Sequence, residues 1–69
     1  MHELDIAVLR VNCSATPPTV TVGTDRDPQT IGTTPDMCEQ ARLLLASHGH
    51  ASATVRFAPS GEREIIAIK

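Results

Sequence analysis

Two histidines and a cysteine are the residues whose types best suit a metal site. His48 and His50 lie two positions apart, and Cys38 lies ten residues upstream of His48. All three side-chain types bind zinc. Ten helical residues rotate the side-chain direction by about 280° beyond full turns, so Cys38 and His48 point to different sides. We therefore predict no metal site, and we expect His48 to end an apolar helix stripe.

A second group of charged residues lies between two predicted elements. Asp25 and Asp27 form an Asp-x-Asp pair whose oxygens could bind a divalent cation. Pro28 and Gln29 follow directly and do not fit a calcium-binding loop. We interpret Asp25 and Asp27 as solvated loop charges or, together with Arg26, as polar residues that contact a partner.

The chain has no arrangement typical of a self-sufficient enzyme. Nucleophilic catalysis requires a base within hydrogen-bond reach of Ser, Thr or Cys, and a further group that orients this base. No spacing in the sequence indicates such a set, and no glycine-rich phosphate loop or strand-elbow serine motif occurs. The sequence therefore predicts a protein without catalytic residues and without a cofactor.

The two cysteines bear on the redox environment of the chain. Cys13 and Cys38 are 25 residues apart, which matches neither a zinc motif nor a redox-active pair. No export signal is recognised ahead of them. We therefore predict two reduced thiols and a cytoplasmic location, where reducing conditions keep thiols free. For the same reason, the glycosylation tripeptide that begins at Asn12 is interpreted as a coincidence.

Charge and aromatic content disfavour nucleic acid as a partner. The formal net charge is -2, whereas nucleic-acid-binding surfaces cluster positive charge. The chain has no Trp or Tyr and one Phe, so it offers few rings on which bases could stack. The longest uncharged apolar run is far shorter than the roughly 20 residues that span a bilayer, and we predict no membrane association. We expect one small domain over residues 1–69.

Hydrophobic periodicity and capping signals predict one helix and four strands. Thr34 has the properties of a helix N-cap, Pro35 suits the first helical position, and Gly49 suits the left-handed residue that ends a helix. Residues 24–33 lack periodicity and are predicted to form a long loop. The predicted strands are residues 4–11, 19–23, 52–58 and 63–69.

The last two predicted strands have the pattern of a hairpin. The turn at 59–61 reads Pro-Ser-Gly, which favours a type I turn followed by a left-handed glycine. This turn predicts a register in which apolar side chains oppose apolar ones and charges oppose opposite charges. The predicted pairs are Val55 with Ile65, Ala53 with Ala67, and Arg56 with Glu64.

The lateral order of the strands is inferred from which of them are apolar on both faces. The first and fourth predicted strands are apolar at both parities, so we expect them in the middle of the sheet. Two hairpins and one right-handed helical crossover then give the order 2-1-4-3, with a parallel central pair. The predicted fold class is α+β, a ββαββ chain with a four-stranded mixed sheet and one helix packed on one face.

One helix leaves the second face of such a sheet uncovered, and this face suggests a function. It is expected to carry Leu9, Val11, Ile66 and Ile68, an apolar patch that fits another protein or a second copy. Alternatively, the long loop covers these side chains, or they are scattered exposed apolar residues of the ordinary kind.

We predict a non-enzymatic protein-binding module that inhibits or regulates a partner by masking its functional surface. Small acidic proteins of phages and mobile elements, anti-CRISPR proteins among them, often act in this way, and the comparison rests on size and charge alone. The alternative is a self-associating structural subunit, or an accessory subunit of a larger assembly.

Overall fold

The computed structural model describes residues 2–69, and within them the chain forms five β-strands and one α-helix. All neighbouring strands are antiparallel, and their order in the sheet is β3-β2-β1-β4-β5. The predicted α+β class is confirmed, whereas the predicted four strands are five. The elements are β1 (His2–Asn12), β2 (Thr19–Thr24), β3 (Asp27–Gly32), α1 (Pro35–His48), β4 (Ser52–Phe57) and β5 (Arg63–Ile68).

The long first strand is shared between two halves of the sheet. Its first half pairs with β4, and its second half pairs with β2 after a bulge between Val8 and Arg10. A bulge bends its strand and increases the local twist. The sheet curls until the two edge strands, β3 and β5, lie near each other, and Arg63 donates a hydrogen bond to Gln29 across the gap. The result is an open barrel whose inner face carries the core.

The fifth strand lies where a long loop was expected. The predicted loop at 24–33 is a tight turn followed by β3, which pairs with β2 along its whole length. Only Ile31 of this strand is both apolar and buried, so its alternation is too weak to detect in the sequence. Pro28, which has no N–H to donate, is accommodated because β3 is an edge strand.

The order 2-1-4-3 of the four predicted strands is wrong. It rested on the rule that a strand with apolar residues at both parities is covered on both faces, whereas in β1 and β5 a bulge produces this pattern. In β1 the extra residue turns Val11 to the inner face, opposite Val20, although Val8 faces inward as well. In β5 a second irregularity turns Ile68 inward, opposite Ala53. β5 is therefore an edge strand, and β4 lies beside β1 in an antiparallel pair.

The hairpin of β4 and β5 confirms most of the predicted register. Val55 lies opposite Ile65, and Arg56 lies opposite Glu64 with a 2.6 Å ion pair. Gly61 has the expected positive φ, at 90°. The predicted pairing of Ala53 with Ala67 is wrong, since the bulge shifts the register and places Ile68 there instead.

The helix begins and ends where the sequence predicts. The Thr34 side chain accepts a hydrogen bond from the N–H of Met37 at 3.2 Å, and Gly49 ends the helix with a φ of 78°. The spacing of apolar residues predicts one helix stripe, in which Ala41 is buried and three further members are partly buried, namely Met37, Leu44 and Leu45. His48, which was expected to end that stripe, is exposed.

The two cysteines form a disulfide, so the prediction of reduced thiols is wrong. Cys13 directly follows β1, and α1 packs against the end of the barrel where β1 ends. This packing places the Cα atoms of Cys13 and Cys38 5.7 Å apart. A separation of 25 residues could not indicate this contact, because it depends on how the helix docks. Cys38 is completely buried among the valines and alanines of the core.

Replacing Gly23 with alanine is expected to destabilise the fold. Gly23 has a φ of 111°, and a Cβ atom there would lie 2.6 Å from the carbonyl oxygen of Asp27. We expect the free energy of unfolding in urea to fall by about 1–3 kcal/mol. Gly32→Ala is the matched control, because its Cβ would meet only Pro17, at 3.4 Å. Equal stability of the two variants would contradict this account.

Candidate functional site

The helix covers only one end of the barrel. α1 begins beside the end of β3, and its Cys38 Sγ lies 3.7 Å from the carbonyl oxygen of Thr19, at the start of β2. The helix ends just before β4 begins. The opposite end, which we call the open end, holds the start of β1 and the two turns at 25–26 and 58–62.

Inner-face side chains are exposed at the open end. Leu4 lies directly opposite Val55 and shares its face. Val55 is completely buried, whereas Leu4 is 47% exposed. Phe57 is half-buried against the core, and the ring centroid of His2 lies 6.3 Å from that of Phe57. The apolar interior therefore reaches the surface here.

Charged residues also lie at the open end, in the turn between β2 and β3. Asp25 and Arg26 form the exposed tip of the hairpin of β2 and β3. The Thr24 hydroxyl accepts a hydrogen bond from the N–H of Asp27 at 3.2 Å, which orders the turn. The predicted contact residues Asp25, Arg26 and Asp27 thus lie at the same end of the barrel as Leu4.

The four apolar residues predicted for an uncovered face do not form one. Val11 and Ile68 pack against the core on the inner face, contrary to the expectation. Leu9 and Ile66 lie at the two bulges, each only partly exposed, on strands that are not neighbours. The expected apolar patch is absent from the part of the chain that the structure describes, because each bulge reverses the alternation beyond it.

The outer face of the barrel is polar where an apolar surface was expected. Asp5 of β1 accepts hydrogen bonds from the Thr54 hydroxyl at 2.6 Å and from the Lys69 ammonium at 3.1 Å. These two hydrogen bonds, with the charge of Lys69, lower the pKa of Asp5. On the same face, Glu64 raises the pKa of Arg56 by accepting its hydrogen bond. Exposed ion pairs of this kind contribute little to stability. Their polar side chains occupy this part of the outer face, where an apolar docking surface was predicted.

An open groove of about 390 Å³ separates the edge strands near the helix N-terminus. Its lining includes one carboxylate, Glu64, which is paired with Arg56 on the outer face. General acid and base catalysis needs further titratable groups within reach of a substrate. The groove offers none besides Glu64 among its lining residues, which are Pro17, Gly32, Thr33, Thr34, Glu64 and Ile65.

The structure does not assemble the metal ligands that the sequence contains. Cys38 is bound to Cys13, so it has no thiolate to offer. The rings of His48 and His50 have centroids 6.4 Å apart. Over residues 2–69, no group of three or more His, Cys, Asp or Glu side chains is placed to hold a metal ion.

No helical segment within residues 2–69 has the length and apolar character to cross a bilayer. Comparison with protein-family models, curated protein sequences and solved structures finds no match for this chain.

The outer face of β2 and β3 is the surface that some five-stranded open barrels use for oligonucleotides. Here it carries Thr21 and Thr30, whose hydroxyls are joined by a 3.0 Å hydrogen bond, with Arg10 opposite Thr21. Single-stranded nucleic acids require aromatic rings on which bases stack, along a basic groove. Phe57, the one Phe, Tyr or Trp in the chain, packs against the core instead.

Replacing Thr54 with valine should raise the pKa of Asp5, because it removes the largest cause of its depression. Because the pKa of Asp5 is lowered in the folded chain, its contacts with Thr54 and Lys69 stabilise the fold at pH values above the ordinary carboxyl pKa. The contribution is lost as the pH falls through the folded-state pKa. An NMR titration of the Asp5 carboxyl carbon measures the change. Thr30→Val is the control, since the Thr30 hydroxyl bonds Thr21 rather than a carboxylate; equal titration of Asp5 in both variants would refute this assignment.

Proposed function

We propose that this protein is a non-enzymatic binding module that contacts a partner protein through the open end. The observation that carries the proposal is the exposure of Leu4, which lies on the inner face of the sheet and yet is 47% exposed. A small domain has little apolar surface to leave in water. A partner that covers this end would bury Leu4 and the exposed part of Phe57.

The surroundings of Leu4 have the composition of a protein interface. Such interfaces have an apolar, often aromatic centre and a polar rim that excludes water. At the open end, Leu4 and Phe57 form the apolar part, and the turn with Asp25 and Arg26 supplies exposed charges. Covering the exposed half of a leucine contributes about 1 kcal/mol, to which aromatic contacts add.

We propose that binding masks a functional surface of the partner, so that the module inhibits or regulates it. The pairing of the two strands that carry Leu4 and Phe57 supports binding at this end, because residues held in a sheet lose little conformational entropy on contact. Self-association is the alternative. It is favoured by the same exposed leucine, since two copies could bury their open ends against each other.

We propose an oxidising compartment as the place of action. The cytoplasmic location was inferred from reduced cysteines, and the Cys13–Cys38 disulfide removes that reason. Disulfides persist in oxidising compartments and are rare in the cytosol, where cellular thiols reduce them.

Substituting Leu4 with serine should weaken partner binding by about fivefold or more, the effect expected for losing at least about 1 kcal/mol of interface energy. Leu43→Ser is the matched control, because Leu43 is 52% exposed on the outer side of the helix. Ile66→Ser tests the surface that the sequence suggested. Affinity capture from the native host, quantified with equal amounts of each variant, measures the difference, and circular dichroism verifies that each variant is folded.

We expect one host protein to be captured by the Leu43→Ser and Ile66→Ser variants and lost from the capture by the Leu4→Ser variant. Equal capture by all three variants would refute the open end as the binding surface. Sedimentation velocity between about 1 and 100 µM tests the alternative, in which wild type forms a dimer that Leu4→Ser does not form. A Kd in this range corresponds to roughly 5–8 kcal/mol of association energy.

A further inference from the structure

The disulfide joins the helix to the barrel at the covered end. Cys13 directly follows β1, and Cys38 lies in the first half of α1. The two cysteines differ in exposure, because Cys38 is completely buried, whereas Cys13 packs against the core and is partly exposed as a residue. A reductant in solution therefore reaches this bond from the Cys13 side.

Few other contacts of comparable strength hold the helix in place. Within α1, all of which the structure describes, Cys38 and Ala41 are the buried residues. Leu44 and Leu45 are only partly buried against the core. A helix of 14 residues is marginal in water when nothing docks it. Loss of docking would also uncover core residues such as Val20 at the end of the barrel where the helix begins.

The magnitudes make the disulfide decisive for folding. A bond that closes a loop of about 25 residues raises the ratio of folded to unfolded chain by roughly 10²–10³. A single core in a domain below about 70 residues rarely supports a ratio above about 10²–10⁴ by itself. The bond therefore contributes an amount comparable to that of the core, and its loss also releases the helix that covers this core.

We propose that the Cys13–Cys38 disulfide is a redox latch, which makes the folded state of this protein conditional on an oxidising environment. In reducing conditions the latch opens, the helix leaves the barrel, and the chain unfolds. The inference stands apart from the proposed partner binding, which concerns the open end, and it shares the disulfide with the proposal of an oxidising compartment.

The opening step is a thiol–disulfide exchange with a dithiol of the thioredoxin or dithiothreitol class. One thiolate of the dithiol attacks the Cys13 sulfur, forms a mixed disulfide and releases the Cys38 thiolate, which takes up a proton. In the mixed disulfide, one sulfur belongs to the dithiol and the other to Cys13. The second thiolate of the dithiol attacks the dithiol's sulfur and releases the Cys13 thiolate, which takes up a proton. Two electrons and two protons pass to the protein, and the dithiol becomes a cyclic disulfide.

The test compares the chain before and after reduction. Circular dichroism at 222 nm and urea unfolding are measured without reductant, with excess dithiothreitol, and again after dialysis and air oxidation; thiol alkylation and mass spectrometry count the free thiols in each state. We expect the folded-to-unfolded ratio to fall by roughly 10²–10³ on reduction and to return on oxidation.

The double variant Cys13→Ser/Cys38→Ser is the control for effects of the reductant itself. A serine hydroxyl at position 38 has the carbonyl oxygen of Thr19 near it, since Cys38 Sγ lies 3.7 Å from that atom. The variant should match the reduced wild type with and without dithiothreitol. An unchanged urea midpoint in fully reduced wild type, or a double variant as stable as the oxidised chain, would overturn the latch.

Discussion

The structure depends on how a small aliphatic core is kept from water by one helix. The sheet curls into an open barrel, and its valines point into a core that the helix closes at one end. The helix contributes Ala41 and Cys38 as its buried side chains, so its hold on the barrel is short on apolar area. The disulfide compensates for this shortage, as is common in domains too small for a sufficient core.

The same arrangement places the exposed apolar surface at the other end of the barrel. The helix lies between the end of β3 and the start of β4, at the end of the barrel away from the start of β1. Leu4 and Phe57 lie beyond its reach, although their positions in β1 and β4 face inward. Cover at one end and exposure at the other are two consequences of having one helix.

The bulges decide which residues reach the interior. Each of them inserts one residue and thereby reverses the inward and outward alternation beyond it. Val11 and Ile68 turn inward for this reason, and the outer face retains Asp5 and Arg56 with their partners. A strand with apolar residues at both odd and even positions therefore has two explanations, namely that both of its faces are covered or that it contains a bulge.

Local signals in the sequence determined the helix with its Thr34 cap and Gly49 end, and the tight turn before β5, because these depend on the conformational preferences of neighbouring residues. The open end was not predictable, since the alternation that marks Leu4 as inward says nothing about where the helix sits. Strand order, the pairing of Cys13 with Cys38 and the exposure of Leu4 were decided by the tertiary structure. The physical reason is that all three depend on contacts between residues far apart in the chain, which local preferences do not encode.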